Sequence, residues 1–331
     1  VVVTGASAGV GRAAARAFAA EGADVALIAR GEEGLAGARR EVESCGRRAL
    51  VLPLDVADAD AVEAAAERVE RELGPIDVWV NNAMVTVMSE IRDMEPAELR
   101  RVTEVSYLGT VYGTLSALRR MEGRGRGTIV QVGSALSYRA IPLQSAYCAS
   151  KFAVRGFTDS LRAELLHRRS NVHVTMVQMP ALNTPQFTWS KCRFDRHPQP
   201  VPPIYQPEVA AEAIVYASKA RRREVWVGGR AALIIAGNKL APGLGGRYLA
   251  KTGYDDQFTD RLIDPDRRNN LWEPVPEDRG AHGPFDERAK DESHTLWLTE
   301  HRGWLAAAGG VLALAGALLG LGAAANAGDS R

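Results

Sequence analysis

The first eleven residues, Val1-Val2-Val3-Thr4-Gly5-Ala6-Ser7-Ala8-Gly9-Val10-Gly11, carry three branched apolar residues into a turn with glycine at three positions. An alanine-rich stretch from Arg12 to Ala20 follows at once. An apolar strand, a glycine turn and a helix in immediate succession form the local geometry that cradles a phosphate. Gly5 permits the tight turn, Gly9 lets a ligand approach the backbone, and Gly11 lets the helix sit close to the sheet. The free N–H groups and the helix dipole then face the anion. A glycine triplet by itself is equally an ordinary turn, so the rest of the chain decides.

Apolar runs alternate regularly with amphipathic ones as far as about residue 180. Val25–Arg30, Val51–Val56, Val78–Ala83, Ile129–Ser134 and Val172–Met179 read as strands, and Asp58–Leu73 reads as a helix between two of them. The strand runs are almost wholly apolar, as strands covered on both faces should be. The pattern predicts an α/β fold with a doubly wound parallel sheet and right-handed crossovers. Pro207–Lys219 reads as a further helix and Glu224–Gly228 as a last strand.

With 331 residues, 46% of them hydrophobic, the chain suffices for one large domain and an appendage. A net charge of +1 and the lack of a basic stripe with interleaved aromatics argue against nucleic acid as a partner. The densest basic run, Arg221-Arg222-Arg223, suits a helix C-terminus. Cys45, Cys148 and Cys192 have no spacing for a metal site and suit a reducing compartment. The opening valines are read as a strand, not as a secretory signal.

Later segments add chemistry to this frame. Asn81-Asn82-Ala83 closes the fourth strand, Ser134 closes the fifth, and Tyr147-Cys-Ala-Ser-Lys151 follows thirteen positions after that serine. Interconverting a carbonyl and an alcohol needs an acid that delivers a proton to oxygen while hydride reaches carbon. Free tyrosine, with a pKa of about 10, is a poor acid-base group at neutral pH. A lysine at i+4 lies on the same helical face, and its ammonium favours the phenolate.

In this order the motifs resemble those of the short-chain dehydrogenase/reductase family over roughly residues 1–230. The resemblance implies a Rossmann-like fold that binds a dinucleotide, with a C-terminal helical and apolar extension beyond it. Tyr147 becomes the acid/base; Lys151 lowers its pKa and binds the nicotinamide ribose, and Ser134 holds the substrate oxygen. Gly5, Ser7, Gly9, Val10 and Gly11 line the phosphate turn. Asp55 and Val56 contact the adenine edge, Asn81 and Ala83 line the adenosine side, and Thr184 contacts the carboxamide or a phosphate.

The chain departs from the family pattern at three places. Ser106, within Val105-Ser106-Tyr107-Leu108-Gly109, occupies the position of an asparagine that holds a relay water, which makes Ser106 a fourth catalytic candidate. Met84 replaces the last glycine of the Asn-Asn-Ala-Gly motif, and Ala181 replaces the glycine after Pro180. Cofactor choice turns on Arg30 at the end of the second strand, where enzymes that use NAD carry a carboxylate. A guanidinium fork suits a 2′-phosphate, with Ser7 as a second donor, so NADP(H) is expected over NAD(H). A surface role for Arg30 is the alternative.

Residues 181–207 are rich in proline and aromatics and, by the resemblance, form a lid over the substrate; a surface connection is the other reading. Residues 231–302 read as an extension and a polar linker. The stretch 304–325 carries no charged side chain and is long enough to span a bilayer, within a candidate transmembrane segment 303–325 followed by a tail, 326–331. A low-complexity tail, or a helix packed on a dimer partner, is the alternative. The spanning reading places the catalytic domain on the cytoplasmic side of a membrane, because Arg288, Lys290 and Arg302 precede the segment. The expected partners are a small carbonyl or alcohol, lipophilic by the apolar lid, and further copies of the chain in a homo-oligomer. The competing functional class is a membrane-tethered NADP(H)-binding module with vestigial redox activity.

Overall fold

The computed structural model describes residues 1–229, 233, 242–264 and 266–303. Strands and helices alternate as β1 (Val2–Thr4), α1 (Gly9–Ala20), β2 (Val25–Ala29), α2 (Glu32–Ser44), β3 (Ala49–Pro53), α3 (Ala59–Glu72) and β4 (Val78–Asn81). There follow α4 (Pro96–Thr103), α5 (Gly109–Arg124), β5 (Thr128–Ser134), α6 (Ser145–His167), β6 (His173–Met179), α7 (Pro207–Lys219) and β7 (Glu224–Trp226). The seven strands form one parallel sheet in the order β7-β6-β5-β4-β1-β2-β3.

The apolar strands are buried on both faces, and each face is covered by its own set of helices. On one side, Phe18 of α1, Leu35 and Val42 of α2 and Ile214 of α7 pack against Val3, Leu27, Val80 and Val177. On the other, Val62 and Val69 of α3, Met121 of α5 and Leu161 of α6 pack against Ile28, Trp79 and Ile129. Local chemistry sets the helix starts. The Asp58 carboxylate accepts from Ala61 N at 3.0 Å to cap α3, and Glu95 and Glu98 form a reciprocal box around Pro96 at the start of α4. No side chain caps α1, so its first N–H groups are left for another partner.

Two segments differ from the sequence reading. Residues 181–207 carry short strands that are all paired: Ala181–Leu182 with Ile204–Tyr205, Lys191–Cys192 with Val87–Met88, and Arg196–Pro198 with Phe258–Leu262. The polar stretch after 264 is no free linker. Leu271, Ala281, Phe285 and Ser293 are buried, and Ala289–Lys290 adds a strand beside Ile204–Tyr205. Its buried residues are too irregularly spaced to register as a helix or a strand. Among the described residues no helix is long and apolar enough to cross a membrane. The candidate span 304–325 lies outside the described residues.

Candidate active site

The carboxyl ends of the strands open into a cavity of about 470 Å3. Residues at the ends of six of the seven strands line it: Gly5 after β1, Arg30 after β2, Asp55 after β3, Asn82 after β4, Ser134 at the end of β5 and Pro180 after β6. Open α/β sheets place their ligands at this edge, where the chain reverses direction across the sheet.

At one end the glycine turn forms the floor. Gly5 and Gly9 hold φ of +68° and +56°, a left-handed backbone that favours glycine. A Cβ at Gly9 would come within 3.3 Å of the Thr184 side chain, so glycine there keeps the backbone open to the cavity. Gly11 faces inward instead: its Cβ would lie 2.2 Å from the Gly5 carbonyl oxygen, which makes it the close-packing glycine and not a lining residue. The Thr4 hydroxyl ties the turn to β4, donating to Val80 O at 3.2 Å and accepting from Asn82 N at 2.9 Å.

Ser7, Val10, Val56 and Ala83 line the cavity with Gly5 and Gly9, and Thr184 closes it from the opposite side. Asn81 does not reach it. Its amide is buried under the sheet, accepting from Trp79 Nε1 at 2.9 Å and donating to Thr114 Oγ1 at 3.0 Å and Gln131 Oε1 at 2.9 Å. Side chains alternate along a strand, so the neighbour Asn82 lines the cavity in its place. Asp55 lines the cavity with its carboxylate paired to Arg101 and its Oδ1 accepting from Ala57 N at 3.0 Å.

Arg30 lines the cavity just beyond β2. Among the described residues its guanidinium donates to main-chain carbonyls, Asn270 O at 2.5 Å, Trp272 O at 2.8 Å and Leu271 O at 3.4 Å. Burial pushes its pKa down from the usual arginine value, with Arg101 adding to the effect and the Asp55 and Glu273 carboxylates opposing it.

The reacting end gathers Ser134, Tyr147 and Lys151. Lys151 Nζ lies 5.5 Å from the centre of the Tyr147 ring and donates to Val132 O at 2.6 Å. Burial pulls the lysine down to about 8. Burial also drives the Tyr147 phenol well above its usual value, and the Ser134 hydrogen bond only partly opposes it. Ser106 stands apart from this group. Its hydroxyl donates to Val85 O at 3.0 Å and accepts from Val85 N at 3.1 Å, which holds the loop after β4 from behind.

The substrate side of the cavity adds residues that motif reasoning did not reach. Gln144 donates through Nε2 to Gln257 Oε1 at 2.7 Å, and Tyr248 and Leu249 line the wall; Pro274 and Val275 lie beside Gly31 at the far end, and Glu277 lines the cavity as well. Gln144 carried a sequence signal, since it lies three positions before Tyr147 at the head of α6; the others have none.

A buried serine and lysine with a half-buried tyrosine, beside a phosphate-type glycine turn on a seven-stranded parallel sheet, define a site for dinucleotide-linked oxidoreduction. The family model described as short chain dehydrogenase matches residues 1–191. The chain belongs to the short-chain dehydrogenase family.

Among its relatives, the "uncharacterized oxidoreductase YxnA" of Bacillus subtilis is 34% identical over 275 residues, 82% of this chain and 77% of the relative. The 3-dehydrosphinganine reductase of Danio rerio is 34% identical over 192 residues, 56% of this chain and 57% of that protein. A short-chain dehydrogenase from Streptomyces avermitilis superposes with a TM-score of 0.64 at 27% identity, covering 78% of this chain and 97% of that one. An alcohol dehydrogenase from Thermococcus sibiricus, complexed with 5-hydroxy-NADP, gives a TM-score of 0.59 at 28% identity, covering 68% and 94%.

Proposed function

We propose that this chain is an NADP(H)-dependent reductase that converts a lipophilic carbonyl to its alcohol, and the alcohol back. The observation that carries the reading is the placement of Tyr147 with Ser134 and Lys151 in one cavity that runs back to the glycine turn and Arg30. The Thermococcus alcohol dehydrogenase complexed with 5-hydroxy-NADP agrees with the cofactor assignment.

The residues fit a dinucleotide. The N-terminus of α1, which no side chain caps, suits the pyrophosphate once Gly280 O leaves Gly9 N. Arg30, whose hydrogen bonds all go to carbonyls, suits a 2′-phosphate. When bound, the nicotinamide would supply or accept the hydride.

The chain's own groups manage the proton and the oxygen. Ser134 holds the substrate oxygen, and Tyr147, kept protonated by burial, delivers its proton to that oxygen as the alcohol forms. The Lys151 ammonium stabilises the phenolate left behind and holds the nicotinamide ribose. The reverse direction needs the phenolate, so alcohol oxidation gains as pH rises. Ser106 positions the 82–86 loop through Val85. Met84, Ile141, Phe187, Trp189, Val201 and Leu249 make the substrate wall apolar, which favours an uncharged, lipophilic carbonyl.

The test follows NADPH oxidation with aldehydes, ketones and quinones of graded chain length, for the wild type and Tyr147→Phe. Removing a positioned general acid costs about 10²–10⁴-fold in turnover. Turnover should fall by that factor in the variant while NADPH still binds. An unchanged rate in Tyr147→Phe refutes the mechanism, and NADPH binding without any wild-type turnover favours the vestigial module.

A further inference from the structure

The chain beyond residue 269 crosses the cleft that the proposed function gives to a dinucleotide. Leu271, wholly buried, anchors the start, and the Asn270–Trp272 carbonyls accept from Arg30. Arg101 Nε donates to Leu271 O at 3.0 Å from the opposite side. Pro274 Cβ then passes 3.5 Å from the position of a Cβ at Gly31, the residue that starts α2. Asp278 pairs with Arg12 of α1 at 2.8 Å, and Gly280 O accepts from Gly9 N, inside the glycine turn, at 3.1 Å. Asp286 accepts from Asn183 Nδ2 at 2.8 Å, beside Thr184.

The segment therefore runs from the adenosine end of the cleft to its nicotinamide end, touching the phosphate turn on the way. It is one layer thick: Pro274, Val275 and Glu277 line the cavity, while Trp272, Glu273 and Arg279 are exposed. Both flanks are tied into sheets, Phe258–Leu262 before it and Ala289–Lys290 after it. Between these fixed ends, among the described residues, Leu271, Ala281 and Phe285 are the buried apolar side chains, and Arg30, Arg12 and Gly9 hold the segment through polar contacts at the rim of the cleft.

We propose that residues 270–286 form a strap that gates dinucleotide exchange: it lifts off Arg30, Gly31 and Gly9 to admit or release the dinucleotide, and closes over it otherwise. The inference rests on the dinucleotide reading above. It assigns to this segment the rates of cofactor entry and exit, separately from hydride transfer. Because Arg30 is gripped by the strap, a 2′-phosphate bound to that guanidinium also steadies the closed state.

The experiment locks the strap and times the exchange. The 3.5 Å spacing falls within the range of about 3.5–4.5 Å between Cβ atoms of a disulfide, and the Gly31 φ of −82° accepts a side chain. The pair Gly31→Cys/Pro274→Cys is oxidised with or without NADPH present, the crosslink is verified by mass, and exchange is followed by stopped-flow NADPH fluorescence. The wild type, carried through the same oxidation, is the reference for its own three cysteines. Closing the bond should slow both association and dissociation at least tenfold, with recovery in dithiothreitol. Asp278→Ala, which frees the strap from Arg12, should speed dissociation severalfold without any crosslink. Exchange that is indifferent to the crosslink or to Asp278→Ala overturns the strap proposal alone. A wild-type chain that binds no NADPH overturns the dinucleotide reading and the strap with it.

Discussion

Gly11→Ala puts one methyl group where the fold has no room for it. Its Cβ would lie 2.2 Å from Gly5 O and 2.6 Å from Asn82 Nδ2, where ordinary contact begins near 3.4 Å. The shortfall against Gly5 O is about 1.2 Å, and it falls on a backbone atom that no rotamer change can move aside. Overpacking of this kind costs about 1–3 kcal/mol. Asn82 Nδ2, which donates to Thr4 O at 2.9 Å, is displaced as well. Its lost hydrogen bond adds about 1 kcal/mol. A total of about 2–4 kcal/mol corresponds to a fall in Tm of roughly 4–16 °C in a chain of this size. The first turn of α1 moves with Gly11, so NADPH affinity should fall at least about tenfold, the equivalent of 1.4 kcal/mol. Gly123→Ala is the control. Nothing lies within 4 Å of its Cβ in the last turn of α5, and relief of glycine's backbone entropy should raise stability by about 0.5–1 kcal/mol. Differential scanning fluorimetry and NADPH fluorescence titration read both variants. A Gly11→Ala protein that melts with the wild type and keeps its NADPH affinity would refute the close-packing argument.

The remaining predictions concern charge. Lys151, drawn down to about 8 by burial, carries its ammonium below that pH, so NADPH affinity should weaken as pH rises through 8. Lys151→Met should bind weakly with no such step, and an identical pH dependence in both proteins would remove Lys151 from the ribose site. Burial pushes the Glu98 carboxyl up, but Lys191, Glu95 N and Arg193 together hold it below the usual glutamate range. Its stabilisation is therefore present above the ordinary carboxylate pKa and lost as pH falls through the depressed value. Glu98→Gln should cost about 1–2 kcal/mol at pH 7, with the Tm gap to wild type closing in acid, and a constant gap counts against the ion pair. Burial lowers His282, yet Asp286 and Glu208 outweigh it and raise its pKa. That contribution is complete below the ordinary histidine pKa and vanishes as pH climbs through the raised one. The Tm difference between wild type and His282→Gln should accordingly shrink between pH 6 and pH 9, and a difference that widens would contradict the pairing.

The sheet was legible because its strands are apolar on both faces, and such runs have few alternatives. Val25–Ala29 and Pro207–Lys219 fall within a residue of the sequence reading. The glycine turn was legible for a related reason: Gly5 and Gly9 need a left-handed backbone, and no other residue type accepts it as readily. Single side chains were harder. Asn81 and Asn82 are the same residue type one position apart, and only the pleat decides which amide meets the cavity. Ser106 was read by its alignment with a family asparagine, whereas its hydroxyl is spent on the two backbone groups of Val85. The strap was illegible. A single-layer cover needs few buried residues, at intervals set by the surface beneath it, and its composition is that of a linker.

The ion pair between Arg12 and Asp278 joins residues 266 positions apart. At a synthesis rate of about 5–20 residues per second, the partner of Arg12 leaves the ribosome roughly 13–53 s after Arg12 itself. For that interval the first turn of α1 holds a cation whose eventual carboxylate does not yet exist, and Glu41 is its only acidic neighbour among the described residues. A growing chain thus acquires its glycine turn long before the carboxylate that ties residues 270–286 to it.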